Sequence, residues 1–223
     1  MRFNPDALAS IAARAVKAQR CVSFEKIAEG RAHWPHRVIV AHQFTGSMNR
    51  IFQLRFDNGS EAIARILLPV GASTPLMTAS EVATMDFARS VLNIPTPRVF
   101  AWSSGSTEVG TNFIICEKAP GTELDRVRPQ AAHEARHPLL YVSEHINSIS
   151  QKFLNNPFRS YGSIFYKKDV EGLPHEPLRL GDGQDRASEK FAIGPAMDWD
   201  LWRDERVTMK IDRGPCQWPV AFT

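Results

Sequence analysis

Cysteine is scarce in this chain, and what there is lies far apart. Cys21, Cys116 and Cys216 are the only three in 223 residues. An odd count with no close pair excludes a disulfide framework. Reduced, mostly structural thiols in an intracellular compartment are expected. Long apolar runs are missing too. None approaches the roughly 20 residues that a membrane helix needs, so no membrane span is expected. The first ten residues, "MRFNPDALAS", lack the apolar segment of a signal peptide. They are also too acidic and proline-broken for a clear mitochondrial transit peptide. An excess of one charge is absent as well. Lys and Arg number 27 against 24 Asp and Glu, a net charge of +3. The basic residues are scattered, so a nucleic-acid partner has no support.

Several chemical motifs are equally missing. No G-x-S-x-G nucleophile elbow occurs, which removes an α/β-hydrolase. "GSMNR" is not a Walker sequence. His33 and His36 stand three apart, but Trp34-Pro35 between them prevents a helix from aligning the two rings. No cysteine or acidic pair completes a metal set there.

What is present is an ordinary globular composition, 43% hydrophobic and 23% charged. The length suits one large domain or two small lobes. "FNPDALASIAARAVKAQR" reads as a helix, with Asn4 as N-cap and Pro5 at the first helical position. Leu8, Ile11, Ala12 and Ala15 share its face. "CVSFEKIAEG" alternates as a strand. "NRIFQLRFDNGSEAIARIL" is the clearest element. Ile51, Leu54 and Phe56 lie in a β-type run, Asp57-Asn58-Gly59 signals a turn, and Ala62, Ala64 and Ile66 follow with period two. A β-hairpin is expected.

In "TASEVATMDFARSVLN", Val82, Met85, Ala88 and Leu92 fall at helical spacing, and Asn93 can end the helix. "PTPRVFAWS" is a short strand. Residues 113–116 read as a buried strand that Ala119-Pro120-Gly121 stops. In "LLYVSEHINSISQKFLNN", Leu139, Val142, Ile146, Ile149 and Phe153 form one helical stripe. After Pro157 the pattern fades. "YGSIFY" suits one short strand, and 167–223 are rich in Pro, Gly and charge with only short islands of order.

Five segments carry a resemblance, in the same order along the chain: "FEKIAEG", "GSMNRIFQLRFDNGSEAIARI", "TASEVATMDFARSVLNIPTPRVFAWSS", "FIICEKAPGTEL" and "SIFYKKDVEG". Together they span most of residues 1–215. They resemble the aminoglycoside phosphotransferase and choline-kinase-like family, which has a protein-kinase-like fold. Within it they are similar to the fungal altered-inheritance-of-mitochondria branch. The resemblance implies an α+β fold. Residues 1–122 would form a kinase-like N-lobe, an antiparallel sheet plus a pairing helix, with an insertion at about 31–45. Residues 123–223 would form the start of a helical C-lobe, a helix over about 137–155 and then irregular chain.

The resemblance also implies roles. Arg65 stands where the fold places its phosphate-contacting cation. Glu81 stands where the helix carboxylate that holds that cation sits. Arg can grip phosphate bidentately, though it is not interchangeable with Lys. The hinge strand that meets adenine would be 114–118, including Ile115, Cys116 and Glu117. The phosphate-covering hairpin tip would include Gly30, Gly46, Ser47 and Asn49. Glycine there lets backbone N–H groups approach phosphate. ATP and Mg2+ are the implied cofactors, a small-molecule or unknown hydroxyl the acceptor, and the mitochondrion the implied location.

One part of the family's machinery is not found. Catalysis in this family needs an H-x-D-x-x-x-x-N loop, and none of the seven histidines begins H-x-D. Asp198-Trp199-Asp200 mimics the family's metal motif but has no catalytic loop upstream, so it reads as a solvent-facing loop. No catalytic and no metal residue is therefore assigned. The chain reads as an incomplete phosphotransferase. The other readings are a non-catalytic nucleotide-binding or scaffold remnant and a mis-spliced product. Residues 31–45 divide the hairpin tip. They read either as a retained intron or as a substitute strand that replaces "VSFEKIA" beside 49–56.

Overall fold

The computed structural model describes residues 3–29, 49–67, 75–105, 107–121, 137–180, 185–202 and 204–216. Gly30, Gly46, Ser47, His33, His36 and the 31–45 segment lie outside them.

The chain starts with helix α1, Pro5–Ala15. Asn4 caps it, its side-chain oxygen accepting from the amides of Asp6 and Ala7 at 3.1 Å each. Two of the helix's otherwise unpaired donors are thus satisfied. Strands β1 (Cys21–Glu29), β2 (Asn49–Phe56) and β3 (Glu61–Leu67) come next. The β2–β3 turn uses Gly59 at φ 79, a left-handed conformation that glycine adopts without strain. The turn is also tied back to the α1–β1 connection. Asn58 donates to the Val16 carbonyl at 3.1 Å, and the Gln19 amide donates to Asp57 at 3.1 Å.

Helix α2, Pro75–Ser90, precedes β4, Val99–Ser103, and β5, Phe113–Glu117. The five strands form one antiparallel sheet in the order β1-β2-β3-β5-β4. The pairing of β1 with β2 runs from Cys21↔Phe56 to Glu29↔Arg50. The partner of 49–56 is thus "VSFEKIA" itself, and the substitute-strand reading of 31–45 is ruled out. The ladder brings Glu29 opposite Arg50 at one end of the sheet.

The C-terminal part begins with helix α3, His137–Leu154, close to the expected 137–155. Beyond it the chain is not irregular. Strands β6 (Ser163–Tyr166), β7 (Glu176–Pro177) and β8 (Phe191–Gly194) form a second antiparallel sheet in the order β6-β8-β7. Helix α4, Asp185–Lys190, leads into β8, and a single turn, α5, covers Trp199–Trp202. Strand β6 is the short strand expected in "YGSIFY"; β7 and β8, two and four residues long, are too short for periodicity to reveal. Gly194 shows how tightly they pack. A Cβ there would lie 2.8 Å from the Phe165 ring.

Four layers result. Leu8, Ala12 and Ala13 of α1 cover one face of the first sheet, against Phe52, Leu54, Phe56, Ala64, Ile66 and Ile115. Val82 of α2 packs on the other face, against Ile51, Ile63, Ile114 and Cys116. The far side of α2 meets the second sheet. Ala83 and Phe87 contact Leu178, Leu180, Phe191 and Ile193, and Ala79 contacts Phe165 and Ala192. A helix between two sheets is buried on two sides. That is why Ala79, Ala83 and Phe87 join the expected Val82 and Leu92 in its core, while Met85 and Ala88 are only half-buried. Helix α3 contrasts with this. Leu140, Tyr141, Ile146 and Leu154 are each more than half exposed, while Val142 and Ile149 of its stripe are half-buried. Among the described residues no helix is long and apolar enough to cross a membrane.

Candidate functional site

Strand alternation decides what can meet α2. On β3, Ile63 enters the core beneath α2 while Ala62, Ala64 and Ile66 enter the core beneath α1. Arg65 shares the parity of Ile63 and faces α2, flanked by Ile51 on β2 and Ile114 on β5. There the Arg65 guanidinium forms an ion pair with the Glu81 carboxylate of α2 through Nη2 and Oε2. Both side chains are 12% exposed. The Arg65 Nε is buried and has no hydrogen-bond partner among the described residues.

The remaining expected site residues divide. Cys116 is buried in the same core. Burial pushes its thiol up to about 11; the Arg65 charge works against that, and the Glu81 and Glu117 charges add to it. Asn49 opens β2 opposite Leu67, two residues before Ile51 and on the same face. Ile115 does not join them. Its side chain is fully buried in the α1-side core. Its backbone lies between Ala64 and Ala101 in a strand paired on both sides. The Glu117 carboxylate is turned toward the start of β4 and the end of α2. It accepts from the Arg98 amide at 3.1 Å and pairs with Arg89 at 3.6 Å. Asp198 accepts from the Asp200 amide at 2.9 Å, a local cap for α5. Gly30, Gly46 and Ser47 lie outside the described residues.

The structure adds a group that sequence reasoning missed. On α2, five residues beyond Glu81, Asp86 accepts from the Tyr166 hydroxyl at 2.7 Å. Lys190 reaches the same carboxylate oxygen at 2.6 Å. Burial is the largest influence on the Asp86 carboxyl and raises it. The bonds from Lys190 and Tyr166, with the Lys190 charge and a bond from Ser90, outweigh burial and hold the carboxyl below its usual range. Burial, then the bond to Asp86, pushes the Tyr166 phenol well up. The sequence signal was an acidic residue flanked by the large apolar Met85 and Phe87.

Comparison with known proteins gives fungal relatives under two names. Over 180 residues the chain is 37% identical to a subtelomeric hrmA-associated cluster protein of Aspergillus fumigatus, covering 80% of this chain and 33% of that protein. It is 30% identical over 167 residues to altered inheritance of mitochondria protein 9 of Candida tropicalis, covering 71% of this chain and 27% of that protein. This chain is similar to the fungal altered inheritance of mitochondria protein 9 group. The Candida dubliniensis member is 26% identical over 201 residues. The fungal branch expected from the motifs agrees with these relatives. The matched part spans about a third or less of their length. No family model and no solved structure matches the chain.

Proposed function

We propose that this chain carries the nucleotide-gripping lobe of a kinase-like phosphotransferase, with the Arg65 guanidinium as its phosphate contact. The observation that carries the reading is the buried Arg65–Glu81 pair with its unmatched Nε donor. A buried ion pair is a poor device for stability, because desolvation offsets most of its attraction. A buried donor without a partner calls for an explanation. A cation held in one rotamer by a carboxylate, with a donor to spare, suits a phosphate oxygen. The antiparallel order β1-β2-β3-β5-β4 with α2 inserted after β3 is compatible with such a lobe.

The chemistry of transfer is not assigned to these residues. The 223 residues contain no H-x-D. Among the described residues no group of three His, Cys, Asp or Glu could hold a metal. ATP and Mg2+ therefore belong to this reading as ligand and counter-ion, with no step placed on them.

A thermal unfolding series with MgATP tests binding. At ~100-fold over the dissociation constant, a ligand specific for the folded state adds about 2.7 kcal/mol. For a chain of this size that raises the midpoint by roughly 5–10 °C. No shift at millimolar nucleotide sinks the proposal. The Candida relatives are named as mitochondrial proteins. A mitochondrial location for this chain is part of the same proposal, and recovery in the cytosolic fraction after organelle separation would contradict it.

A further inference from the structure

Helix α2 is gripped from two sides by different chemistry. Toward the first sheet it offers Glu81 to Arg65. Toward the second it offers Asp86 to Tyr166 and Lys190. Tyr166 and Lys190 belong to one compact assembly. The Tyr166 ring stacks on Phe191 at 5.5 Å, and the Lys190 ammonium stands over both rings at 5.5 and 5.3 Å. Tyr166 also faces Trp102 of β4 at 6.5 Å. Tyr166, Lys190 and Phe191 come from β6, α4 and β8, far along the chain from α2.

Apolar burial alone does not fix how a helix is rotated, because it is non-directional. The α2 surface toward the second sheet includes the small side chains Ala79 and Ala83 beside the single large Phe87. Hydrogen bonds to a charged acceptor are directional and stronger. Two of them converge on one oxygen of Asp86. Glu81 and Asp86 lie five residues apart on one rigid helix, so a rotation that breaks one contact displaces the other.

We infer that Asp86, Tyr166 and Lys190 are positioning residues: they hold α2 in the rotation that delivers Glu81 to Arg65, so the second sheet governs the phosphate grip. This rests on the proposed nucleotide binding for its purpose, but not for its detection. Cys116 provides an independent probe. It is 4% exposed, in the core that α2 covers, so its modification requires α2 to move from the first sheet.

The test uses the full chain with Cys21→Ser and Cys216→Ser, leaving Cys116 as the single thiol. Labelling by a disulfide reagent is monitored for the parent and for Tyr166→Phe, Asp86→Asn and Lys190→Met. Leu8→Ala, in the core on the far face of the first sheet, is the control. Each protein is labelled at the urea concentration that equalises its unfolding free energy with the others. The three variants are expected to label about tenfold faster than the control, the scale of one lost bond to a charged group. Equal rates in variants and control overturn the inference, because labelling would then track global unfolding alone. Tyr166→Phe removes only a hydroxyl and keeps the ring stack, so it remains informative if the other two fold poorly. The nucleotide shift, read on the parent and on Tyr166→Phe, should shrink in the variant. A shift undiminished in Tyr166→Phe also overturns the inference. A parent that ignores nucleotide overturns the proposed nucleotide binding, and the labelling comparison still decides the positioning role.

Discussion

Arg65→Met destabilises the protein by about 3–5 kcal/mol, measured by urea unfolding. Methionine fills much of the arginine's volume, so the cavity contribution is small. What remains is the Glu81 carboxylate, 12% exposed, with its counter-ion gone. The surroundings are Ile51 and Ile114 on the neighbouring strands and Val82 beside Glu81 on the helix. An ionised carboxylate there has lost water without gaining a partner. Arg65→Met with Glu81→Leu removes both charges at once. That double variant is expected to recover most of the loss, since an apolar pair of similar size often matches a buried ion pair. A single-variant loss below about 1 kcal/mol would show that water reaches the pair freely, and the site would have to be redrawn as a surface contact.

The double variant separates stability from function. It keeps a folded sheet and removes the cation proposed to meet phosphate. If it melts like the parent and no longer responds to MgATP, the pair serves the ligand. If it melts like the parent and still responds, phosphate is held elsewhere.

Local signals were legible wherever one element contains its own cause. Asn4 before Pro5 predicted the start of α1, and Asp57-Asn58-Gly59 predicted the β2–β3 turn. The stripe from Leu139 to Phe153 marked α3, although Ile146 and Phe153 on it stay exposed. What required a distant partner was not legible. Phe87 lies off the stripe Val82, Met85, Ala88 and Leu92, and its burial comes from Phe191 and Leu178, about a hundred residues on. Of the second sheet only β6 was legible, as the short strand in "YGSIFY"; β7 is two residues with a proline, so the sheet itself was not. Its strands are stabilised by packing on α2, not by an alternating pattern of their own. Arg65 and Glu81 entered through the resemblance, and the structure places them in contact. The same alternation that turns Arg65 toward α2 turns Ile115 away. The parity of β5 relative to β3 depends on the pairing Arg65↔Ile114, which no single strand reveals. Tyr166 and Asp86 are 80 residues apart, and neither predicts the other.

Phe87→Ala is expected to cost about 3–5 kcal/mol, the usual range for an aromatic side chain removed from a core. Phe87 is 1% exposed and joins the two halves of the chain. Its ring meets Phe191 edge-on at 5.6 Å and Phe158 at 5.7 Å. Such pairs add about 0.5–1.5 kcal/mol beyond the area they bury. The residues around it, Leu178, Leu180, Ala187 and Ile193, belong to the second sheet and its flanks and cannot collapse inward without breaking β8. The loss should therefore be read first as faster amide exchange in β6 and β8, with α1 and the β2–β3 hairpin less affected. The parent should unfold in a single transition, because α2 shares its core with both sheets and neither can leave alone. Separate transitions for 49–117 and 163–194 in the parent would contradict this. A shared helix is what lets a contact at Asp86 bear on an ion pair at Arg65. Two independently melting halves would remove that route and, with it, the reason for the second sheet to influence the first.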